Sequence, residues 1–457
     1  MIKNKNLETL ENSSVRLNIT VDKEYIQKEY DALVQEYCKK ARVDGFRKGK
    51  VPATVLIRKL GDSLLAETAE RVIRSTLDEV LKDAEKQPLV TSVPAVDAKD
   101  KLALGSDYAY TVTFDTFPEI ELPEYKGLAY EELQVGVTQE DLDRELRVLQ
   151  EHNSIVIDKK DATVLNGDIV GIDYVEVDDN DAELEGTKRE GFVFEVGSGY
   201  NLYKVDNDLV GAKVGEEKIL TKQYPDDFEF KELAGRTVRL KVKVNSVKEK
   251  QLPEIDDELA QDISDKYNSL EDLKTDIKER LGAYARQTTR EHSISQLLDK
   301  IAGEAKIALP KSMIDHELED QWRSFVTRAV PRAPDVATAE QVVLRELEKD
   351  GKSKAELLEG WREAVEKKLK LQLVVSEMVN REKIEIDEAE VDKRVEEEAE
   401  AQKMSVEDAR QAMERNNYLP YLRRDLKNEK LFELLLESGV RKKGKKVKFL
   451  DLVQGNY

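Results

Sequence analysis

The spacing of the apolar residues switches repeatedly between a period of two and a period near 3.6 along this chain, and those switches constrain its fold more than any single motif. Val15, Leu17, Ile19 and Val21 alternate with polar residues, as on a half-buried strand. Asp22 then offers an N-cap to a helix carrying Ile26, Tyr30, Leu33, Val34 and Tyr37. The stretch ARVDGFRKGKVPA interrupts that pattern with two glycines and a proline, which predicts an exposed connecting loop. Helical spacing resumes from Pro52 through Leu56 and Leu60, and again through Leu65, Val72, Ile73, Leu77, Val80 and Leu81. Tyr108, Tyr110, Val112 and Phe114 alternate once more, and LVTSVPAV before them is expected to be a partner strand with Pro94 at an edge or end. Residues 1–115 therefore predict a small α+β domain.

Residues 116–156 read as a linker and one helix. FPEIELPEYKG is extended, because each proline removes a donor and keeps its predecessor out of the helical region. Thr138 and Asp141 have the spacing of a capping box ahead of Leu142, Leu146 and Leu149, a stripe expected to pack on a segment distant in sequence. Residues 157–248 are punctuated by glycine and alternate, as in GDIVGIDYVEV and RTVRLKVKVNSV, which predicts a compact β-rich insert. Residues 249–457 return to helical spacing, with caps at Ser269 with Asp272 and Ser353 with Glu356. The expected fold class is α+β and multi-domain, with an α+β N-terminal domain, a β-rich insert and an elongated all-helical C-terminal domain. No repeat of fixed period is present, which excludes a solenoid.

Charged residues make up 37% of the 457, hydrophobics 40% and aromatics 6%, a balance that suits long wet helices with narrow apolar stripes. A net charge of −21 disfavours non-specific adhesion to nucleic acid, so any anion site must be a local patch. Cys38 is the only cysteine, which excludes an internal disulfide and a thiolate metal cluster and fits a reducing compartment. The N-terminal residues lack the apolar core of a signal peptide, and no stretch reaches the roughly 20 apolar residues needed to span a bilayer. A cytoplasmic protein without membrane contact is expected. His152, His292 and His316 stand far apart in polar helical sequence, without the spacing of a metal or triad site, and no Walker-type glycine loop occurs.

Two basic segments stand out against this acidity. Between Lys39 and Lys50, the cations Lys39, Lys40, Arg42, Arg47, Lys48 and Lys50 face the single acid Asp44, with Phe46 among them and Gly45, Gly49 and Pro52 shaping the backbone. Composition leaves two readings open: a docking tip whose cations pair with phosphate or carboxylate while Phe46 fills an apolar notch, or a solvated loop whose phenylalanine folds into its own core. Near the C-terminus, RKKGKKVKF gathers Arg441, Lys442, Lys443, Lys445, Lys446 and Lys448, either to touch RNA or acidic substrate or, the reading favoured here, as a flexible solubilising tail. The apolar stripes of the C-terminal helices serve helix packing, a broad client-binding surface, or both.

Residues 45–52, GFRKGKVP, resemble the ribosome-binding signature of trigger factor, the ribosome-associated chaperone family of bacteria, and the likeness extends over essentially the whole chain. It implies that Phe46, Arg47 and Lys48 contact a ribosomal protein and ribosomal RNA at the tunnel exit, with Gly45, Gly49, Lys50 and Pro52 completing the loop. It also implies binding of nascent polypeptides, a homodimer when free, and no cofactor or metal. By the same resemblance residues 157–248 are an FKBP-like domain, in the family a peptidyl-prolyl isomerase, with the prolyl pocket at Tyr174, Leu184, Glu185, Leu202, Val205, Phe228 and Leu240. An apolar pocket of this kind lowers the roughly 18–20 kcal/mol imide barrier by gripping a twisted bond. This chain departs from the family where an isoleucine, proline, glycine and phenylalanine run with a later glycine is usual: it reads Leu202, Tyr203, Lys204, Val205 and then Asp208. Leu184 and Leu240 also replace phenylalanines. The expected function is an ATP-independent chaperone with weak or absent isomerase activity; the alternatives are an active isomerase acting on nascent chains and a structural nucleic-acid-binding protein.

Overall fold

The computed structural model of the chain describes residues 1–40, 46, 49, 51–82, 84–98, 100–159 and 163–457. The chain divides into two units, each discontinuous in sequence: Met1–Glu132 with Glu291–Lys442, and Leu133–Arg290 with Lys443–Tyr457.

In the N-terminal part of the first unit, β1 (Ile2–Thr9) and β2 (Ser14–Val21) form a hairpin, followed by α1 (Lys23–Lys40), α2 (Ala53–Lys82), β3 (Ala95–Asp97) and β4 (Tyr108–Asp115). The antiparallel sheet has the order β1-β2-β4-β3. Its register sets Val15 opposite Phe114, Leu17 opposite Val112, Ile19 opposite Tyr110 and Val21 opposite Tyr108. Both alternating runs thus turn the same face inward and form one core with Ile26, Val72 and Val80. The two helical stretches read after Pro52 are present as two helices within α2, separated at Leu60, whose φ −126° and ψ 16° are not helical, just before Gly61. Of LVTSVPAV only Ala95 and Val96 join the sheet ladder, followed by Asp97, since Pro94 has no N–H to give it. Strand β1 carries no alternating signal, being polar at most positions, and pairs through its backbone.

The linker contributes β5 (Ile120–Glu121) and β6 (Ala129–Gly136), then α3 (Gln139–His152) behind the capping box of Thr138 and Asp141. In the second unit Leu142 and Leu146 of α3 pack on Ala260, Tyr267, Leu273 and Ile277, more than a hundred residues away in sequence, as the stripe predicted. The β-rich insert comprises β7 (Ile155–Asp158), β8 (Ile169–Val177), β9 (Arg189–Glu195), α4 (Asp206–Leu209), β10 (Glu217–Gln223) and β11 (Thr237–Gln251). Its strand order is β10-β11-β8-β9, with β7 on the far end of β11.

The remainder is helical: α5 (Asp257–Ile263), α6 (Leu270–Glu304), then, after β12 (Lys306–Ile307), α7 (Lys311–Ala329), α8 (Val336–Lys349), α9 (Lys354–Arg381), α10 (Glu388–Ala401), α11 (Val406–Arg415) and α12 (Leu419–Ser438). The caps at Ser269 and Ser353 form as expected, each hydroxyl accepting an N–H that the paired acid returns. Two features depart from an all-helical segment. Strand β12 pairs with β5 of the extended linker. The RKKGKKVKF stretch is not a flexible tail: it forms β13 (Val440–Lys448), paired with β6, and leads into α13 (Phe449–Val453). Phe449 and Leu452 explain the difference, because they bury beside Leu133 and Ala285 and tether the strand. Among the described residues no helix is long and apolar enough to cross a membrane.

Candidate functional site

The basic loop is suspended between two helices that clamp each other. Tyr30, Leu33 and Val34 of α1 pack against Leu56 and Leu64 of α2, and Val51, 4% exposed, closes this small core from the loop's own end. Polar contacts lock the helices further along: the Tyr37 hydroxyl donates to Glu67 at 2.5 Å, and Glu36 accepts from Lys40 at 2.7 Å and Arg71 at 2.6 Å. Hydrogen bonds from those two cations, with their charge, hold the Glu36 carboxyl down to about 2. Phe46 is 41% exposed, so its ring is not sunk in the core. Gly49 stands at φ 80°, a backbone angle that favours glycine. Pro52 is exposed at the start of α2, where its carbonyl accepts from Val55 and Leu56. Gly45, Arg47, Lys48 and Lys50 lie outside the described residues.

The expected prolyl pocket maps to one end of the insert's sheet. Tyr174 on β8, Leu240 on β11, and Leu202 and Val205 ahead of α4 converge on a single cavity, together with Ile172, Phe192 and Val242. Phe228 is not part of that lining; it packs half-buried on Tyr224, ring centroids 4.7 Å apart. Leu184 and Glu185 are exposed and do not line it either. The cavity holds about 10 Å³, no more than one water molecule needs and far too small for a prolyl ring.

Tyr203 is the side chain that sequence reasoning missed. Its ring meets Tyr174 edge to face at 5.4 Å and is 8% exposed. Its hydroxyl donates to Glu176 Oε1 at 2.8 Å, while the Tyr224 hydroxyl donates to its carbonyl, also at 2.8 Å. Burial, reinforced by the Glu176 hydrogen bond and charge, drives the Tyr203 phenol well above its usual range and keeps it a donor. Glu176 is itself 7% exposed and lies 3.4 Å from Arg236. The neighbouring Lys204 occupies a left-handed backbone position, φ 48°, and ties down to the Gly199 carbonyl at 2.7 Å and Glu229 at 2.7 Å. The available signal was Glu176 itself, a carboxylate that shares the alternation of Val170, Ile172 and Tyr174 on β8 and there needs a buried donor.

Comparison with known proteins shows the family. The family model for the bacterial trigger factor protein matches residues 3–149, and that for the trigger factor C-terminus matches residues 269–437. Trigger factor of Treponema denticola is 36% identical over 98% of this chain and 99% of its own length, and that of Borreliella burgdorferi is 34% identical over 99% of each. A solved structure described as showing promiscuous substrate recognition in folding and assembly by the trigger factor chaperone is 22% identical, with a TM-score of 0.49 over 94% of this chain and 99% of that one. The chain belongs to the trigger factor family, whose general role is that of a ribosome-associated chaperone.

Proposed function

We propose that this protein is a passive, ATP-independent chaperone of the cytoplasm that docks at the ribosomal tunnel exit through Gly45, Phe46, Arg47, Lys48, Gly49, Lys50 and Pro52 and shields emerging polypeptides. The observation that carries the docking role is Phe46, a large apolar ring left 41% exposed while Val51, further along the same segment, is buried in the core between the two helices. Such a ring with cations beside it suits a partner offering both an apolar notch and phosphates. Replacing Phe46, Arg47 and Lys48 with alanine tests the reading: co-sedimentation with ribosomes is lost while the circular dichroism spectrum stays unchanged. Retained co-sedimentation refutes it.

Residues 1–115 serve in this reading as the ribosome-binding domain, 116–156 as linker, 157–248 as the FKBP-like domain and 249–457 as the client-binding part. The FKBP-like domain acts as a folded spacer or auxiliary peptide surface instead of an isomerase. Tyr203 supports this, since its ring takes up the room in which a client proline would be held, and its hydroxyl is bound to a buried acid.

A further inference from the structure

Strand β13 is, with the Lys39–Lys50 stretch, one of two basic segments in an acidic chain. In a protein of net charge −21, six of its nine residues, VRKKGKKVK, are cationic and none is acidic. Among the described residues many basic side chains elsewhere lie against carboxylates, as Lys40 does against Glu36 and Lys354 against Glu319 and Glu340. Within the second unit the strand supplies Lys443, Lys445, Lys446 and Lys448, all exposed, and none has a carboxylate within ion-pair distance among the described residues. The facing residues of β6 in that unit, Leu133, Gln134, Val135 and Gly136, carry no acid. The first acid after the strand, Asp451, sits on the next helix.

The strand is also held in place. Val447 is half-buried against Leu133 and Ala285, and Phe449 and Leu452 follow immediately as buried anchors. Successive side chains of a strand point to opposite faces, so Lys443 and Lys445 project on one side and Lys446 and Lys448 on the other, each pair about 6.6–6.8 Å apart along a backbone fixed before any partner arrives. A scatter of lysines is the ordinary guard against edge-to-edge pairing. An acid-free run with four cations in six residues, in an acid-rich chain, exceeds that need.

We propose that the basic strand segment from Lys443 to Lys448 is a binding site for the phosphate backbone of structured RNA, separate from the loop that carries Phe46. The side-chain chemistry selects that partner. Lysine is a compact point charge that pairs with phosphate oxygens without the planar, bidentate geometry of arginine, which is absent between 443 and 448, so the contact made here is one of charge and not of shape. There is no aromatic platform in this run for stacking unpaired bases and no exposed apolar anchor to hold a peptide. What remains is sequence-independent backbone contact, and the family's place on the ribosome makes RNA the available polyanion.

The test is fluorescence anisotropy of the full chain with a labelled RNA duplex of about 20 base pairs across a salt series. Binding is expected to weaken with a log–log slope of about −2 to −4, from roughly 0.9 per neutralised phosphate and two to four lysines engaged. Changing Lys443, Lys445, Lys446 and Lys448 to glutamine lowers affinity at least tenfold and flattens the slope, while changing all four to arginine retains both. The alanine variant of Phe46, Arg47 and Lys48 keeps duplex binding, although it loses ribosomes. Duplex affinity unchanged in the glutamine variant overturns the proposal. A poly-glutamate peptide that binds as tightly as the duplex, and loses binding in the same variant, overturns it in favour of acidic polypeptide.

Discussion

Asp115, the last residue of β4, accepts the backbone N–H of Ser312 at 2.9 Å across 197 positions of sequence. Ser312 lies in the first turn of α7, whose N-cap, Pro310, provides no capping side chain. A carboxylate there satisfies an orphan donor and faces the positive end of the helix dipole. Its other oxygen accepts the Ser14 hydroxyl at 2.8 Å, and the neighbouring Ser13 hydroxyl donates to the Ala308 carbonyl at 2.7 Å. One carboxylate therefore joins the N-terminal sheet to the C-terminal helices. Partial burial alone would raise its pKa, yet the bonds from Ser312 and Ser14 outweigh burial and leave it lowered. We predict that Asp115→Ala destabilises this junction by about 1–2 kcal/mol, the usual effect of a lost helix cap. Urea titration and the rate of proteolysis between residues 115 and 120 measure it; wild-type values in both would contradict the assignment.

Tyr203 yields a second pair of expectations. The wild-type protein does not accelerate proline-limited refolding of a model substrate above the uncatalysed rate, because the room for a prolyl ring is taken. Tyr203→Phe, which removes only the hydroxyl, destabilises the insert by about 1–3 kcal/mol, since it strips a donor from the buried Glu176. Clear rate acceleration by wild type would remove the first expectation, and an unchanged unfolding transition in the variant the second.

These two residues show where sequence was and was not legible. Val15 to Val21 and Tyr108 to Phe114 could be read because a two-residue period has one structural meaning, and the register carries it directly into a core. Thr138 with Asp141 and Ser353 with Glu356 could be read because a cap is local. Strand β1 escaped, since its pairing uses backbone groups common to every residue. Tyr203 stood out as a departure from a family pattern, but whether its ring points outward or inward depends on Glu176, 27 positions earlier on another strand. The C-terminal lysines looked like a solvated tail because charge dominated the pattern, while Val447 and Phe449, the residues that fix the strand, were few.

Acid should loosen the clamp beneath the basic loop. Glu36 has its folded-state carboxyl at about 2 against 4.5 for the unmodified group, owing to its hydrogen bonds from Lys40 and Arg71. A folded pKa below the unfolded one means that the unfolded chain takes up the proton first on acidification. The stabilisation is therefore complete above about pH 4.5 and is lost progressively as pH falls towards 2. Glu36→Gln should lower the urea midpoint near neutrality, where the stabilisation is fully present, and flatten its dependence on pH across that window. Identical pH profiles for variant and wild type would show that Glu36 does not contribute.

The helices α7 to α9 meet around Trp322, 1% exposed, whose indole N–H donates to Glu340 at 2.6 Å. Lys354 sits 4.9 Å above the ring and bonds Glu319 at 2.9 Å and Glu340 at 3.1 Å, so one ammonium joins three helices. Burial opposes its charge, but the two carboxylates prevail and its pKa is raised. Lys354→Met keeps the apolar stem and removes the charge, leaving Glu340 with the indole as its remaining partner. A desolvated cation over tryptophan contributes about 0.5–2 kcal/mol, so the variant should lose stability of that order. Combining it with Glu340→Gln should lose less than the sum of the two single changes, because each removes part of the same network. The readout is Trp322 emission in a Trp361→Phe background, Trp361 being the only other tryptophan. A red shift on Lys354→Met with non-additive unfolding midpoints is expected, and strictly additive midpoints would mean that lysine, glutamate and indole act independently.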